Sequence, residues 1–306
     1  MILKNKNICI IGMGKLGSAL AIELSESGAK VKYLIGKYPM TLKAVSKKIK
    51  SSITSKKIEK EIINDSDIIF IAVRDIEIEK TAKAVFLACD SFKNKIIFHS
   101  SGSMSSGIMK SGKISTNNLA SIHPIQSFNK VSIRNGHLLK NIYFGIEGGK
   151  TALSAAKNIA FLLGSKYIVI PESRKYIYHI ASIFASNYLV VLADMLISLG
   201  EAAGEDPDLV FEIYEPIIRN TMNNIMRFGP EGALTGPVER NDQKLIEEHL
   251  KTLNKSGRSV LPVYKVLGNA AADIAYRKGS LNKDQKLKLK KLFDRSIPTL
   301  KSNSKN

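Results

Sequence analysis

Asn7-Ile8-Cys9-Ile10-Ile11-Gly12-Met13-Gly14-Lys15-Leu16-Gly17 decides the fold. The apolar run from Asn7 to Ile11 reads as a buried strand. Gly12 to Gly17 has the spacing G-x-G-x-x-G, and Leu20, Ile22 and Leu24 carry a helical apolar period through the residues that follow. Alone the spacing is weak, but between a strand and a helix each glycine has a mechanical reason. Gly12 permits a tight turn, Gly14 lets the backbone approach a pyrophosphate, and Gly17 lets helix and strand pack closely. The pyrophosphate would rest on the unpaired N–H groups and positive dipole end of the helix. Met13, Lys15 and Leu16 complete this expected cradle. The competing reading, a glycine-rich turn of no consequence, leaves the strand before it and the helix after it unexplained.

Working outward, further strands are expected at Lys30–Ile35, Asp67–Val73, Lys95–His99, Leu119–His123, Ile142–Glu147 and Lys166–Ile170, with helical segments between several of them. Strands joined by helical crossovers imply an α/β fold, a doubly wound parallel Rossmann sheet, over residues 1–171. After Pro171 the pattern changes to long helical runs: Glu172–Ala203, Pro207–Phe228, Glu239–Leu253, Ser259–Lys278 and Lys283–Phe293. An all-α C-terminal domain is therefore expected over 172–300, followed by a polar, disordered tail at 301–306.

A dinucleotide site of this kind often carries an acidic residue about 20 positions beyond the glycines, on the ribose hydroxyls. Here Tyr33-Leu34-Ile35-Gly36-Lys37-Tyr38 ends the second strand without one. Lys37, with Lys43 behind it, suits a 2′-phosphate, so NADP(H) is expected over NAD(H). At the next strand end Val73 borders the groove and Arg74 is a second phosphate candidate, although a solvated loop arginine is an equal reading.

The chain has 306 residues, Lys+Arg 46 against Asp+Glu 27, and a formal net charge of +19. Nucleic acid, a membrane surface or small anions could answer such a charge. The lysines are spread along the chain without a basic-aromatic module, so a small anionic substrate and cofactor are expected, with no nucleic-acid partner. Ile180–Leu199 is apolar but interrupted by Ser182, Ser186, Asn187 and Asp194, which suits a buried helix better than a membrane span. A soluble cytoplasmic protein is expected, without export signal or membrane partner. Cys9 and Cys89 lie in apolar runs and read as reduced core thiols. The histidine spacings match no metal pattern, so no metal is expected.

With these pieces in place the chain resembles, over nearly its whole length, the Rossmann proteins with a 6-phosphogluconate-dehydrogenase-type helical C-terminal domain. These are relatives of β-hydroxyacid dehydrogenases, pyrroline-5-carboxylate reductases and ketopantoate reductases. The likeness rests on Gly12–Gly17, His99-Ser100-Ser101-Gly102, Ser121-Ile122-His123-Pro124 with Ser127-Phe128, Lys175–Asn187, and Leu234-Thr235-Gly236-Pro237 with Arg240 and Asp242. It implies an oxidoreductase, and most specifically the alternative type of ketopantoate reductase, which reduces 2-dehydropantoate to pantoate for pantothenate and coenzyme A. An imine or 3-hydroxy-acid oxidoreductase, or a non-catalytic dinucleotide sensor, stays open beside it.

Residue chemistry points the same way. Lys175, His179, Ser182 and Ser186 fall at i, i+4, i+7 and i+11, a polar stripe on an otherwise apolar helix. Hydride reduction of a carbonyl needs a group that protonates or polarises the oxygen, and Lys175 or His179 could do so. The resemblance implies that role for a lysine here with a polar partner one turn on. A solvated first-turn lysine and a core histidine remain the plainer alternative. His99 and His123 end strands at the cleft edge, and His123 joins the catalytic candidates. Ser100, Ser101, Ser186, Asn187, Asn224 and Arg240 are the expected substrate ligands, with Arg240 suited to a bidentate carboxylate clamp. Arg240, Asn241 and Asp242 are placed in the first turn of a helix. The apolar helical domain is expected to form a homodimer.

Overall fold

The computed structural model describes residues 5–49, 52–128, 137–257 and 259–295. The expected tail at 301–306 lies outside them. Contacts divide the chain into two units, residues 1–187 and 188–306.

The first unit is built on β1 (Ile8–Ile11), β2 (Val31–Ile35), β3 (Ile53–Ser55), β4 (Ile68–Ile71), β5 (Ile96–His99), β6 (Leu119–Pro124), β7 (Tyr143–Gly148) and β8 (Lys166–Val169), in the spatial order β3-β2-β1-β4-β5-β6-β7-β8. Its helices are α1 (Lys15–Glu26), α2 (Pro39–Ser46), α3 (Lys60–Asp65), α4 (Asp75–Ala88), α5 (Lys150–Leu162) and α6 (Lys175–Ala185). Pairing is parallel from β3 through β6. The strand order reverses between β1 and β4, which opens the crevice where such sheets hold ligands. Two features depart from the expected sheet. The short strand β3 was not anticipated, because Ile53-Thr54-Ser55 is too brief to show a period. Moreover, β7 runs antiparallel to β6, and β8 follows β7 in parallel.

Both faces of the sheet are covered at its central strands β1, β4 and β5, which explains why these read as continuous apolar runs rather than alternating ones. Ile8 and Ile10 of β1 join Leu20, Leu24, Leu42, Ala152 and Ile159 on one side. Cys9 and Ile11 join Ile63, Ile78 and Val85 on the other. Phe70 and Phe98 stack across β4 and β5 with ring centroids 5.0 Å apart. Cys9 and Cys89 are free and buried, and burial pushes the Cys9 thiol up to about 12, leaving it inert.

A single helix from Glu172 to Ala203 is not what forms. A 3-10 turn at Glu172–Arg174 leads into α6, the helix ends at Ser186 (φ −133, ψ −74), and α7 (Asn187–Ala202) begins anew. The division between units follows this break, one helix later than the boundary expected at Pro171, because α6 is held against the first unit by Lys175 and Tyr178.

The second unit contains most of α7 together with α8 (Pro207–Ala233), α9 (Gln243–Ser256), α10 (Leu261–Lys278) and α11 (Lys283–Asp294). Ile246, Leu250, Ala272, Ala275, Leu289 and Phe293 form its core. Gly229, at φ 70, interrupts α8 before Pro230, so the segment before it stops where the expected helix did. The fold is thus a Rossmann-type α/β sheet followed by a helical C-terminal region.

The closest packing is at α1. A Cβ on Gly17 would lie 1.8 Å from the Gly12 carbonyl oxygen, whereas one on Gly14 would meet nothing within 4 Å. Gly17→Ala is therefore expected to cost about 2–4 kcal/mol or abolish folding. Gly14→Ala should stay within about 1 kcal/mol of the parent. Urea unfolding followed by circular dichroism distinguishes the two.

Candidate active site

Because β1, β4, β5 and β6 run parallel, their C-terminal ends place Gly12, Ala72-Val73, His99-Ser100 and His123 along one edge of the sheet. A cavity of about 760 Å³ lies at the glycine-rich end of this edge, bordered by Gly12, Met13, Gly14, Lys37, Val73 and Arg74. Gly12 has φ +102, and a Cβ there would sit 2.4 Å from the Ala72 carbonyl oxygen. No side chain caps α1 at Gly14, so its first N–H groups face open space suited to a phosphate. Of the residues expected in the cradle, Lys15 and Leu16 do not border the cavity. Lys15 opens α1 at the surface, and Leu16 packs on the core. Gly17 acts by packing alone. Gly36, Tyr38, Lys56, Lys57, Ile58 and Glu77 also border the cavity and escaped the sequence reading. The residues fit an extended dinucleotide with a polyanionic end.

Asp75 ties this cavity to the second cluster. It follows Arg74 at the start of α4, and its carboxylate accepts from the hydroxyls of Ser101 (2.7 Å) and Ser103 (2.9 Å). The Ser101 hydroxyl also accepts from the N–H groups of Ser103 and Met104. It therefore builds the loop, in contrast with the substrate ligand expected at that position. His99 is fully buried. Its Nδ1 accepts from the Ser101 N–H at 3.1 Å, which puts the proton on Nε2, 3.1 Å from the Ser105 carbonyl. Burial pushes His99 down to about 4, so it serves the loop as a neutral ring.

Lys175 is not a solvated first-turn lysine. It is 2% exposed, and Nζ donates to Ser121 Oγ at 2.5 Å and lies 3.8 Å from Glu147 Oε2. The Glu147 carboxylate accepts from the N–H and hydroxyl of Ser106, each at 2.8 Å, and from Ser121 Oγ at 3.3 Å. Desolvation lowers the Lys175 pKa, opposed first by the Glu147 charge. Lysine, serine and glutamate form a closed buried relay that locks α6, β6, β7 and the 100–106 loop together. Glu147 and Ser121 could have been suspected only as polar residues within otherwise apolar strands.

Next to this relay lies a second group of polar side chains. Tyr178, also missed from sequence, places its hydroxyl 3.0 Å from His123 Nδ1. Gly145 makes room for it, since a Cβ there would lie 2.2 Å from that hydroxyl. A Cβ on Gly102 would lie 2.9 Å from both His123 Nδ1 and His179 Nδ1, so the two rings converge on one small space over the loop. His179 Nδ1 and Ser100 Oγ are buried without a hydrogen-bond partner. Burial, then His179 and Lys175, push His123 down to about 4, and burial pushes Tyr178 up to about 12. His123 and Tyr178 are therefore neutral near pH 7. Of the other expected ligands, Ser186 ends α6 and Asn187 starts α7. Asn224, half-buried on α8, and Arg240, exposed, belong to the second unit. Asp242 is the N-cap of α9, accepting from the Leu245 N–H at 3.1 Å, so Arg240 and Asn241 precede that helix instead of opening it.

Comparison with known proteins agrees with this geometry. Residues 7–99 match the family model of coenzyme F420-dependent NADP oxidoreductases, and residues 142–271 match a domain of unknown function, DUF2520. The structure is similar to protein TM1727 from Thermotoga maritima, at 25% identity and TM-score 0.67, covering 89% of this chain and 99% of that one. A candidate NADP oxidoreductase, BF3122, from Bacteroides fragilis shares the fold at 18% identity and TM-score 0.70, covering 90% and 99%. So does NADP-bound pyrroline carboxylate reductase from Plasmodium falciparum, at 15% identity and TM-score 0.55, covering 95% and 100%. No curated protein sequence matches the chain. The first unit thus carries a Rossmann-type sheet whose residues 7–99 match a family model of NADP oxidoreductases.

Burial of a neutral histidine has a measurable consequence. His99 charges near 6.5 in an unfolded chain but near 4 in the fold, so the stability it contributes is present above about pH 6.5 and lost as pH falls towards about 4. The difference in urea midpoint between the parent and His99→Gln should be large near pH 7 and shrink towards about pH 4.5.

Proposed function

We propose that the protein is a soluble, cytoplasmic NADP(H)-dependent reductase of a small 2-oxo acid, with 2-dehydropantoate as the specific candidate. The observation that carries this reading is the shared sheet edge, with a glycine-lined cavity at β1 and β4 and, beside it, His123 of β6 meeting Tyr178 and His179 of α6. The bound cofactor supplies the hydride. Tyr178 and His179 border the space where a carbonyl oxygen gains negative charge, and either can hydrogen-bond it as it develops. His123, neutral and bonded to Tyr178, accepts or returns the proton.

Lys175 takes a positioning role. Its ammonium is spent on Ser121 and Glu147, so it shapes the loop under the reacting group instead of meeting substrate. Ser100 Oγ supplies a further ligand atom. Reduction of an imine is the second reading, favoured by the absence of any exposed cation among the described residues of the His123–Tyr178–His179 cluster. Preference for NADP(H) over NAD(H) rests on Lys37, Arg74, Lys56 and Lys57 around the cavity.

A homodimer is part of the same proposal. Within residues 172–202 an 18-residue window reaches a mean hydropathy of 1.9, high enough for a membrane span by composition. They are nevertheless broken at Ser186 and carry Lys175 and His179. Ile177, Ile180, Leu189, Val190, Val191 and Leu192 are exposed in the single chain, and a second copy would cover them.

Following NADPH absorbance with 2-dehydropantoate, other 2-oxo acids and cyclic imines tests the activity. Turnover of 2-dehydropantoate supports the specific assignment, turnover of imines alone transfers it to the second reading, and NADPH binding without any turnover removes the reductase. Tyr178→Phe or His179→Ala should lower kcat by about a hundredfold or more while leaving NADPH affinity within about twofold. Lys175→Ala should instead destabilise the fold by about 3–5 kcal/mol, since it strands a buried carboxylate.

A further inference from the structure

The dinucleotide cavity contains an acidic residue that the sequence places nowhere near the usual position. Glu77, in the first turn of α4, reaches across to the end of β2. Its Oε1 is 2.8 Å from Lys37 Nζ and its Oε2 is 3.3 Å from Arg74 Nε. Lys37 and Arg74 are each 76% exposed in their side chains, whereas Glu77 is 27% exposed. The carboxylate is thus the more enclosed partner, with one cation on each oxygen. Lys56 and Lys57, which follow β3, bring two further positive charges to the same cavity.

Two roles are open to such a carboxylate. It could accept the ribose hydroxyls of NAD(H), in place of the acid missing from the end of β2, but that use needs oxygens free of other donors. Both oxygens of Glu77 are instead turned to cations that suit a phosphate. We propose that Glu77 sets the dinucleotide preference of this cavity: in the free protein its carboxylate stands where the cofactor's 2′-phosphate belongs, between Lys37 and Arg74, and NADP(H) binds by displacing it. The inference rests on the reading that this cavity holds a nicotinamide dinucleotide. Glu77 then weakens NADP(H) by competition and by charge. It leaves NAD(H), which lacks the 2′-phosphate, nearly indifferent.

The test is direct binding, read from the fluorescence of NADPH and NADH titrated into the parent, Glu77→Gln and Glu77→Ala, with adenosine 2′,5′-bisphosphate as a competitor. The expected result is NADPH affinity raised about three- to tenfold in both variants, as for removal of one nearby like charge. Adenosine 2′,5′-bisphosphate should follow NADPH, with NADH within about twofold. The gain should vanish when Lys37→Gln and Arg74→Gln are added. Unchanged or weakened NADPH affinity overturns the proposal, and a selective loss of NADH would make Glu77 a ribose ligand instead. If the parent binds neither dinucleotide, the dinucleotide reading itself fails, an outcome distinct from a parent that binds both with Glu77 indifferent.

Discussion

Where α1 leaves β1, backbone packs on backbone. The Gly17 Cα lies against the Gly12 carbonyl, and Gly12 in turn lies against Ala72 at the end of β4. Any side chain at these points would push α1 off the sheet, and with it the uncapped N-terminus that faces the cavity. Parallel strands transmit this constraint sideways. Once β1 and β4 are in register, β5 and β6 deliver His99 and His123 to the same edge, and the loop that follows β5 is laid over them.

That loop is held by burial of charge. Lys175, Ser121 and Glu147 satisfy one another in a nearly dry interior, where an unpaired member would be costly. The same desolvation keeps His99 and His123 neutral near pH 7. The hydrogen bond between His123 and Tyr178 is therefore one between neutral groups, while Lys37, Arg74, Lys56 and Lys57 border the glycine-lined cavity. Along one edge of one sheet, a cavity bordered by cations is set apart from the His123–Tyr178–His179 cluster, with Asp75 bonded to the loop at the junction.

Much of this was legible in the chain. Gly12–Gly17 between a strand and a helix, the apolar runs of β1, β2, β4 and β5, and the change to long helices after Pro171 follow from local periodicity. His123 and His179 could be suspected from their places at a strand end and on a polar stripe. Tyr178 could not, because a tyrosine in an apolar helix reads as core until Gly145 is seen beneath its hydroxyl. Ser101 looked like a ligand because its commitment to Asp75 spans distant segments. The long helix from Glu172 looked continuous because composition does not register the turn at Ser186.

The sequence by itself determined the Rossmann sheet, the glycine cradle and the helical second half, since these depend on side-chain period and backbone freedom within a few residues. Only the tertiary structure decided that Lys175 is sealed in a relay with Glu147, that Tyr178 meets His123, and that Glu77 lies between Lys37 and Arg74. Those relations join segments tens of residues apart, and the burial that sets their protonation exists only once the sheet and its covering helices have closed.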